Sequence, residues 1–438
     1  MPSSSGAMGR LLFLALLALG CSRTVLVTGS SGRDAGTPDG PVVLPDGALP
    51  RPDATVGPDA GRDGGGSPDG GDPDLGLPDG GPPDLPVPDI GPPDIGPPPA
   101  LCRVVAPASC GRTISDPPCF VAQLAETEGT ACAYQAIEAA RQCVAGVSTI
   151  LAGLDILARE RSFFVPNDEA MVAALAAFGA RPDLLSEPVR SDCSDVEDDD
   201  VAALDALFTA LGYLVVEGRL TAARLARSPD ASVRSVVGQL EGGEGIKVYL
   251  VPGAPTLRYV GPDRRIQQAN IVRQNVRVTA GAGDARSIVH VIDAFVPAPN
   301  LLDVVLLEGL DLLADALEDA SPALVDGMLV PLNDGLEDPE RILTVFGPTD
   351  AAFRRLGTIT NPDALRDRLL YHSSQGERGF LQADLPASLL MLDGNVLSVF
   401  RAEVPVRVAG GSGGAEVVRG DVQATNGVLH VIDGVLAP

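Results

Sequence analysis

The sequence predicts an α+β protein built from two tandem copies of one domain, helices leading and strands closing each copy. Three observations carry that prediction. The stretch Ser287-Ile288-Val289-His290-Val291-Ile292-Asp293-Ala294-Phe295-Val296-Pro297 returns at the C-terminus as Gly427-Val428-Leu429-His430-Val431-Ile432-Asp433-Gly434-Val435-Leu436-Ala437-Pro438, and both read as short β-branched strands. A second pair, Ser162-Phe163-Phe164-Val165-Pro166-Asn167-Asp168-Glu169-Ala170-Met171 and Thr344-Val345-Phe346-Gly347-Pro348-Thr349-Asp350-Ala351-Ala352-Phe353, lies upstream of each. Two blocks repeated in the same order mean a duplicated domain. Finally, apolar residues recur at helical spacing early in each copy and strand-like runs follow. In the first of the closing strands, alternation puts Ile288, His290 and Ile292 on one face and Val289, Val291 and Asp293 on the other, so the histidine sits among apolar neighbours.

Composition narrows the function. The 438 residues have room for two or three domains that can each bury a core. A formal net charge of −26 excludes the electrostatic footprint of a nucleic-acid binder. With 4% aromatic residues and no Trp, a stacking platform for bases or sugars has little to be made from.

Taken in order, the chain opens on a secretion signal, residues 1–20. Residues 11–19 form an unbroken apolar run, too short to span a bilayer and of the length of a signal-peptide core. Arg10 is the one positive charge before it, and a start at Met8 would give the more ordinary charged segment. The run ends in Leu17-Ala18-Leu19-Gly20-Cys21, which resembles the bacterial lipobox and implies lipidation of Cys21. An ordinary cleavage site with a chance cysteine is the alternative. By the same resemblance, Ser22 favours sorting to the outer membrane.

Residues 21–101 form a low-complexity spacer in which Pro-Asp begins at 68, 73, 78, 83, 88 and 93. Proline cannot join a ladder and there is almost nothing apolar to bury, so the segment is expected to be disordered. Its prolines and self-repelling aspartates extend it, and at ~3.1 Å per residue roughly 80 residues reach on the order of 200 Å. No stretch fits a calcium-binding loop with its closing Glu, so the aspartates are read as a solvated spacer.

Setting Cys21 aside leaves six cysteines, Cys102, Cys110, Cys119, Cys132, Cys143 and Cys193, an even set that suggests three disulfides among fifteen pairings. None forms C-x-x-C, so a structural zinc site is unsupported. On a helix, Cys132 and Cys143 share a face three turns apart and cannot pair with each other. Each therefore reaches a different partner, tying the helix to the loop from Cys102 to Cys119 or to the segment holding Cys193.

That helix is read as continuing through Ile137, Val144, Ile150, Leu154 and Leu157. From Asp168 to Tyr213 are 45 positions, against 21 from Asp350 to Tyr371, which gives the first copy an insert of 24. Its acidic run, residues 191–200, is read as the start of a helix over 201–211, favoured by the helix dipole over a divalent-ion site. Strands follow at 246–251, 257–260 and 266–278. In the second copy, helical periodicity covers 301–317 and 363–371, with strands at 396–408 and 416–424. The junction Ala298-Pro299-Asn300 is so short that the copies are expected to touch.

The paired blocks resemble the fasciclin-like family, the FAS1 domains of cell-surface and matrix proteins. Its first signature is similar to T-V-F-A-P-T-D-x-A-F and its second to an apolar-His-apolar-Ile-Asp strand running into proline. The second copy matches the first signature at nine of ten positions, with Gly347 for the usual alanine, and carries the family's Tyr-His pair as Tyr371-His372. The first copy departs at Asn167, Met171 and Tyr213-Leu214. The resemblance covers roughly residues 130–438. It implies two domains, 102–298 and 299–438, each a wedge of two β-sheets with helices on one side and over one end. It also implies a structural role for Pro166, Asp168, Tyr213, His290 and Asp293, and for Pro348, Thr349, Asp350, Tyr371, His372, His430 and Asp433.

Three motifs invite chemistry. Gly410-Gly411-Ser412-Gly413-Gly414 spells G-x-S-x-G with His430 and Asp433 downstream, but a nucleophile elbow needs a strand before and a helix after it, and strands flank both sides here. Arg419-Gly420-Asp421 spells the integrin-read tripeptide inside a strand-like segment, where it would not project as a loop. Three histidines spread over two domains assemble no metal cluster, and no cofactor is implied. The reading is a non-catalytic lipoprotein of the cell envelope, held to the membrane by its lipid and binding an extracellular polysaccharide or surface protein. Two weak modules on one leash gain avidity through effective concentration. The alternatives are a periplasmic scaffold and a serine hydrolase using Ser412, His430 and an Asp.

Overall fold

The computed structural model describes residues 102, 119–154, 160–181, 183–186, 193–229, 231–237, 245–278, 287–325, 328–357, 359–411 and 413–438. The signal segment, Cys21, the spacer, Cys110 and Ser412 lie outside the described residues. Both copies belong to one compact unit.

In the first copy three helices, α1 (Cys119–Glu126), α2 (Ala131–Cys143) and α3 (Val147–Leu154), lead into β1 (Arg161–Pro166) and α4 (Asp168–Ala177). After α5 (Asp198–Tyr213) come β2 (Val215–Glu217), α6 (Ala222–Leu225), β3 (Ser232–Arg234), β4 (Lys247–Leu250), β5 (Thr256–Val260), β6 (Ile266–Arg277) and β7 (Ile288–Ile292). The seven strands run in the order β2-β1-β7-β6-β5-β4-β3. The first signature strand β1 and the closing strand β7 are parallel neighbours, Phe164 opposite His290.

The wedge comes from β6. Its first half pairs with β5 and its second half with β7, and two register shifts separate Ile271, Arg273 and Val276. Bulges of this kind bend a strand and raise its twist, so one long strand serves two leaves. Alternation then sorts the apolar residues: Phe163, Val165 and Val289 face the helices, while Phe164, Val248, Leu257 and Ile292 fill the space between the leaves.

The second copy repeats this plan. Helices α7 (Leu301–Leu307) and α8 (Asp311–Asp319), the hairpin β8 (Ala323–Val325) and β9 (Met328–Val330), and α9 (Leu332–Glu337) precede β10 (Leu343–Pro348), α10 (Asp350–Leu356) and α11 (Pro362–Leu370). Then come β11 (Ser373–Gln375), β12 (Ser388–Leu390), β13 (Val396–Phe400), β14 (Arg407–Ala409), β15 (Gly414–Ala424) and β16 (Gly427–Ile432). Their order, β11-β10-β16-β15-β14-β13-β12, is that of the first sheet element for element.

The molecule therefore shows the expected α+β class and duplication, with corrections in the lead-in helices. The helix read through Val144 to Leu154 breaks into α2 and α3 at Gly146, whose φ is +88°, and the helix read over 301–317 breaks at Gly309, φ +72°. Both lie in the left-handed region, which ends a helix and favours glycine. The single strand read over 396–408 is the hairpin β13–β14. The short strands β2, β3, β11 and β12 carry too few residues to show a period.

Candidate functional site

The signature residues of each copy converge on the seam between the closing strand and its neighbours, and the two copies build it alike. His290 and His430 are fully buried. In each ring Nε2–H donates to a backbone carbonyl, Leu220 O at 2.8 Å and Phe380 O at 2.9 Å. Nδ1 accepts the N–H of the residue at the bulge, Asn275 at 3.4 Å and Asp421 at 3.3 Å. Those two bulge residues share a left-handed φ of +59°, and each uses its side-chain oxygen to accept a backbone N–H, from Ala222 at 3.0 Å and Gln382 at 2.6 Å. The histidine thus pins the bend that makes the wedge. Burial lowers the pKa of both, which keeps the rings neutral and matches a nitrogen that must accept.

The first signature joins strand to helix. Asn167 and Thr349 cap α4 and α10 by accepting from Ala170 N (2.9 Å) and Ala352 N (3.2 Å). Asparagine for threonine in the first copy is therefore an exchange between equivalent caps. The following aspartates cap a different helix: Asp168 accepts Cys132 N at 2.7 Å and Asp350 accepts Leu312 N at 3.0 Å, in the first turns of α2 and α8. The residues heading those helices, Thr130 and Leu310, supply no side-chain cap. Pro166 and Pro348 end the buried strands β1 and β10 opposite Ile292 and Ile432.

Tyr213 and Tyr371 are buried between the leaves and donate their hydroxyls to Lys247 O (2.7 Å) and Val396 O (3.1 Å). Asp293 and Asp433 accept the N–H of Asn270 (2.7 Å) and Glu416 (2.8 Å), sealing the end of the closing strand. His372 has no counterpart in the first copy, where Leu214 is buried in its place. Its Nδ1–H donates to Arg368 O at 2.8 Å and its Nε2 accepts Leu436 N–H at 2.9 Å, and burial pushes its pKa down to about 4.

Two motifs are absorbed the same way. Arg419 and Asp421 lie within β15, Arg419 paired with Glu308 at 2.9 Å and Asp421 holding the Gln382 N–H, so the tripeptide is built into a strand. Of the G-x-S-x-G stretch, Gly410, Gly411 and Gly413 belong to the β14–β15 connection. His430 has both ring nitrogens committed to backbone partners and cannot take a proton from a hydroxyl without breaking the bend. Among the described residues no group of His, Cys, Asp or Glu is arranged to hold a metal ion.

The cysteines brace the helices of the first copy. Cys102 bonds to Cys132 and Cys143 to Cys193, and Cys119 is also disulfide-bonded. Of the acidic run, Asp198, Asp199 and Asp200 form the first turn of α5. Asp200 is buried and bonds Arg181 through both the guanidinium (2.7 Å) and the backbone N–H (3.0 Å). These bonds draw its pKa down against the opposing effect of burial.

Sequence reading missed the residue that joins the copies. Glu308, 3% exposed, ends α7 and binds Lys247 Nζ (2.7 Å) and Tyr249 Oη (2.8 Å) of the first copy while pairing with Arg419 of its own. Arg258 adds a bond to Leu307 O at 2.9 Å, and Tyr249, Val260 and Leu307 pack beneath. Arg264 reaches Glu337 and Asp334 at 2.8 Å each. The first copy has its own version of the pair in Glu128 and Arg273 (2.6 Å), but there Glu128 is 87% exposed. Position alone could not single Glu308 out among so many acidic residues.

The Fasciclin domain model matches residues 327–438. The uncharacterised protein sll1735 of Synechocystis sp. is 39% identical over 114 residues, 24% of this chain and 79% of that protein. A solved FAS1 domain pair from the insect cell adhesion molecule fasciclin I is similar over 64% of this chain and 89% of that one, at 16% identity and a TM-score of 0.31.

Proposed function

This chain belongs to the fasciclin-domain family, and we propose that it is a non-catalytic adhesion or matrix-binding lipoprotein of the cell envelope, anchored through Cys21 and presenting its two domains on the spacer. One observation carries the reading: the polar signature residues are bonded internally, capping helices or holding the wedge, with both nitrogens of each histidine engaged. A residue so placed supports architecture. Adhesion in this reading uses the surface, presented by two copies fixed to each other through Glu308. The disulfides support a compartment outside the cytoplasm, and among the described residues no helix is long and apolar enough to cross a membrane.

The binding partner in this reading is an extracellular polysaccharide or a surface protein. Attachment of a strain lacking the gene tests it. Loss of attachment to glycan-coated or matrix-protein-coated surfaces is expected, restored by the wild-type gene and not by Cys21→Ala, which releases the protein from the membrane. Unchanged attachment to every surface tried would overturn it.

A further inference from the structure

The two copies differ at a space under the lead-in helices beside the first signature strand. In the second copy it is a cavity of about 550 Å³ lined by Leu317, Leu336, Leu343, Leu369, Arg341 and Ser373. At the equivalent place in the first copy only about 50 Å³ remains. There Ile137 stands for Leu317, Leu211 for Leu369, and Val215 for Ser373, and Phe120, Ile150 and Leu151 from α1 and α3 fill the space. The second copy has the β8–β9 hairpin and α9 instead of such a plug. The same fold thus provides its own filled reference.

The exchanges also change the chemistry. Phe208 lines the first copy's space where Arg366 lines the second's, and Arg341 adds a second guanidinium. Arg366 is compensated by Asp363 at 3.1 Å and Asp367 at 2.7 Å. The Arg341 guanidinium lies against α9, where a side chain at Gly335 would come within 3.2 Å of its Nη1. Arg341 has no hydrogen-bond or ion-pair partner for its side chain among the described residues. The space, inside the range of about 300–1,000 Å³ typical of ligand pockets, thus offers a guanidinium without a protein counter-charge to an anion and a leucine-lined bed to a hydrocarbon.

We propose that the second copy binds a single-chain amphipathic carboxylate, its head paired with Arg341 and its tail lying on the leucines. Guanidinium and carboxylate match as a two-pronged pair, and the tail removes apolar surface from water. Ser373 lines the same space from β11, opposite Val345.

Calorimetric titration of the full chain with decanoate, decan-1-ol and acetate tests this. Decanoate should bind with a stoichiometry of one and acetate should not bind. Arg341→Gln should weaken decanoate roughly tenfold to a hundredfold, the range for a hydrogen bond to a charged group, and leave decan-1-ol unchanged. Arg341→Lys should recover part of the loss. Ser373→Phe, with its fold checked by circular dichroism, should abolish both ligands by occupying the space. No decanoate binding to the folded wild type, equal decanoate affinity in Arg341→Gln, or undiminished binding in a folded Ser373→Phe would each overturn the proposal.

Discussion

His372 ties the last residues of the chain to the end of α11, while the first copy does without a histidine at that point. Its pKa is pushed down to about 4 by burial, so the folded chain leaves it neutral where the unfolded chain takes up a proton. Below the ordinary value near 6.5 the unfolded state binds more protons, and stability falls as pH drops until about pH 4, by on the order of 3 kcal/mol. Asp303 works the other way. Burial raises it to about 6, so the folded chain protonates first and gains stability as pH falls from there toward 4. His372→Leu, the first copy's choice, leaves Asp303 in place and should reduce the acid loss by the histidine's share. At pH 7.5 it should cost about 1–3 kcal/mol through the Leu436 N–H and Arg368 carbonyl left without it. Urea unfolding at pH 7.5 and 5 reads both effects, and identical pH slopes for variant and wild type would refute the assignment. That His290 and His430 sit on apolar faces was legible from alternation. Which atoms they bind was not, because the partners Leu220, Asn275, Phe380 and Asp421 are set by the bend in a strand whose bulge leaves no mark in a period-two pattern.

At the scale of elements, β10 shows how the copies trade volume. A Cβ on Gly347 would come 2.8 Å from Leu429, 3.1 Å from Leu310 and 3.2 Å from Leu313, all buried. The first copy has Val165 at that position and the smaller Val289 in Leu429's place. Gly347→Ala should therefore destabilise by about 1–3 kcal/mol through overpacking, and Leu429→Val should recover much of that in the double variant, a coupling that a double-mutant cycle measures. The departure from the family's alanine is thus explained by the strand beside it. The aspartate caps make a second case. Asp350→Ala should cost about 0.5–2 kcal/mol, the worth of an N-cap, although Asp350 and α8 are distant in sequence, and hydrogen exchange should rise first at the start of α8. The signature block itself was plain in the sequence. Its cross-helix capping was hidden, because a cap is ordinarily sought just ahead of the helix it serves. The lead-in helices were read as continuous because apolar spacing survives a break of one glycine.

For the whole molecule, the junction is concentrated in one carboxylate. Glu308→Ala removes the acceptor of Tyr249 and the counter-charge of both Lys247, 12% exposed, and Arg419. Removing one partner of a buried ion pair costs about 3–5 kcal/mol, and here the loss falls on the contact between copies. Calorimetric melting should change from a single transition to two, while Glu128→Ala, at the exposed equivalent, should leave the profile as it was. The duplication was readable from the sequence; the docking was not, since it depends on which face of β4 and β5 meets the end of α7. That face also decides what the chain cannot become. A head-to-tail contact between like modules, if every module carried both halves of it, would propagate without limit into a fibre. Among the described residues the donor half exists once: Lys247, Tyr249 and Arg258 are answered in the second copy by Val396, Ser398 and Ala409, as the equivalent strand pairings place them. The chain has a second acceptor at Glu128 and Arg273, and among the described residues no second donor face answers it, so this contact stops at the pair.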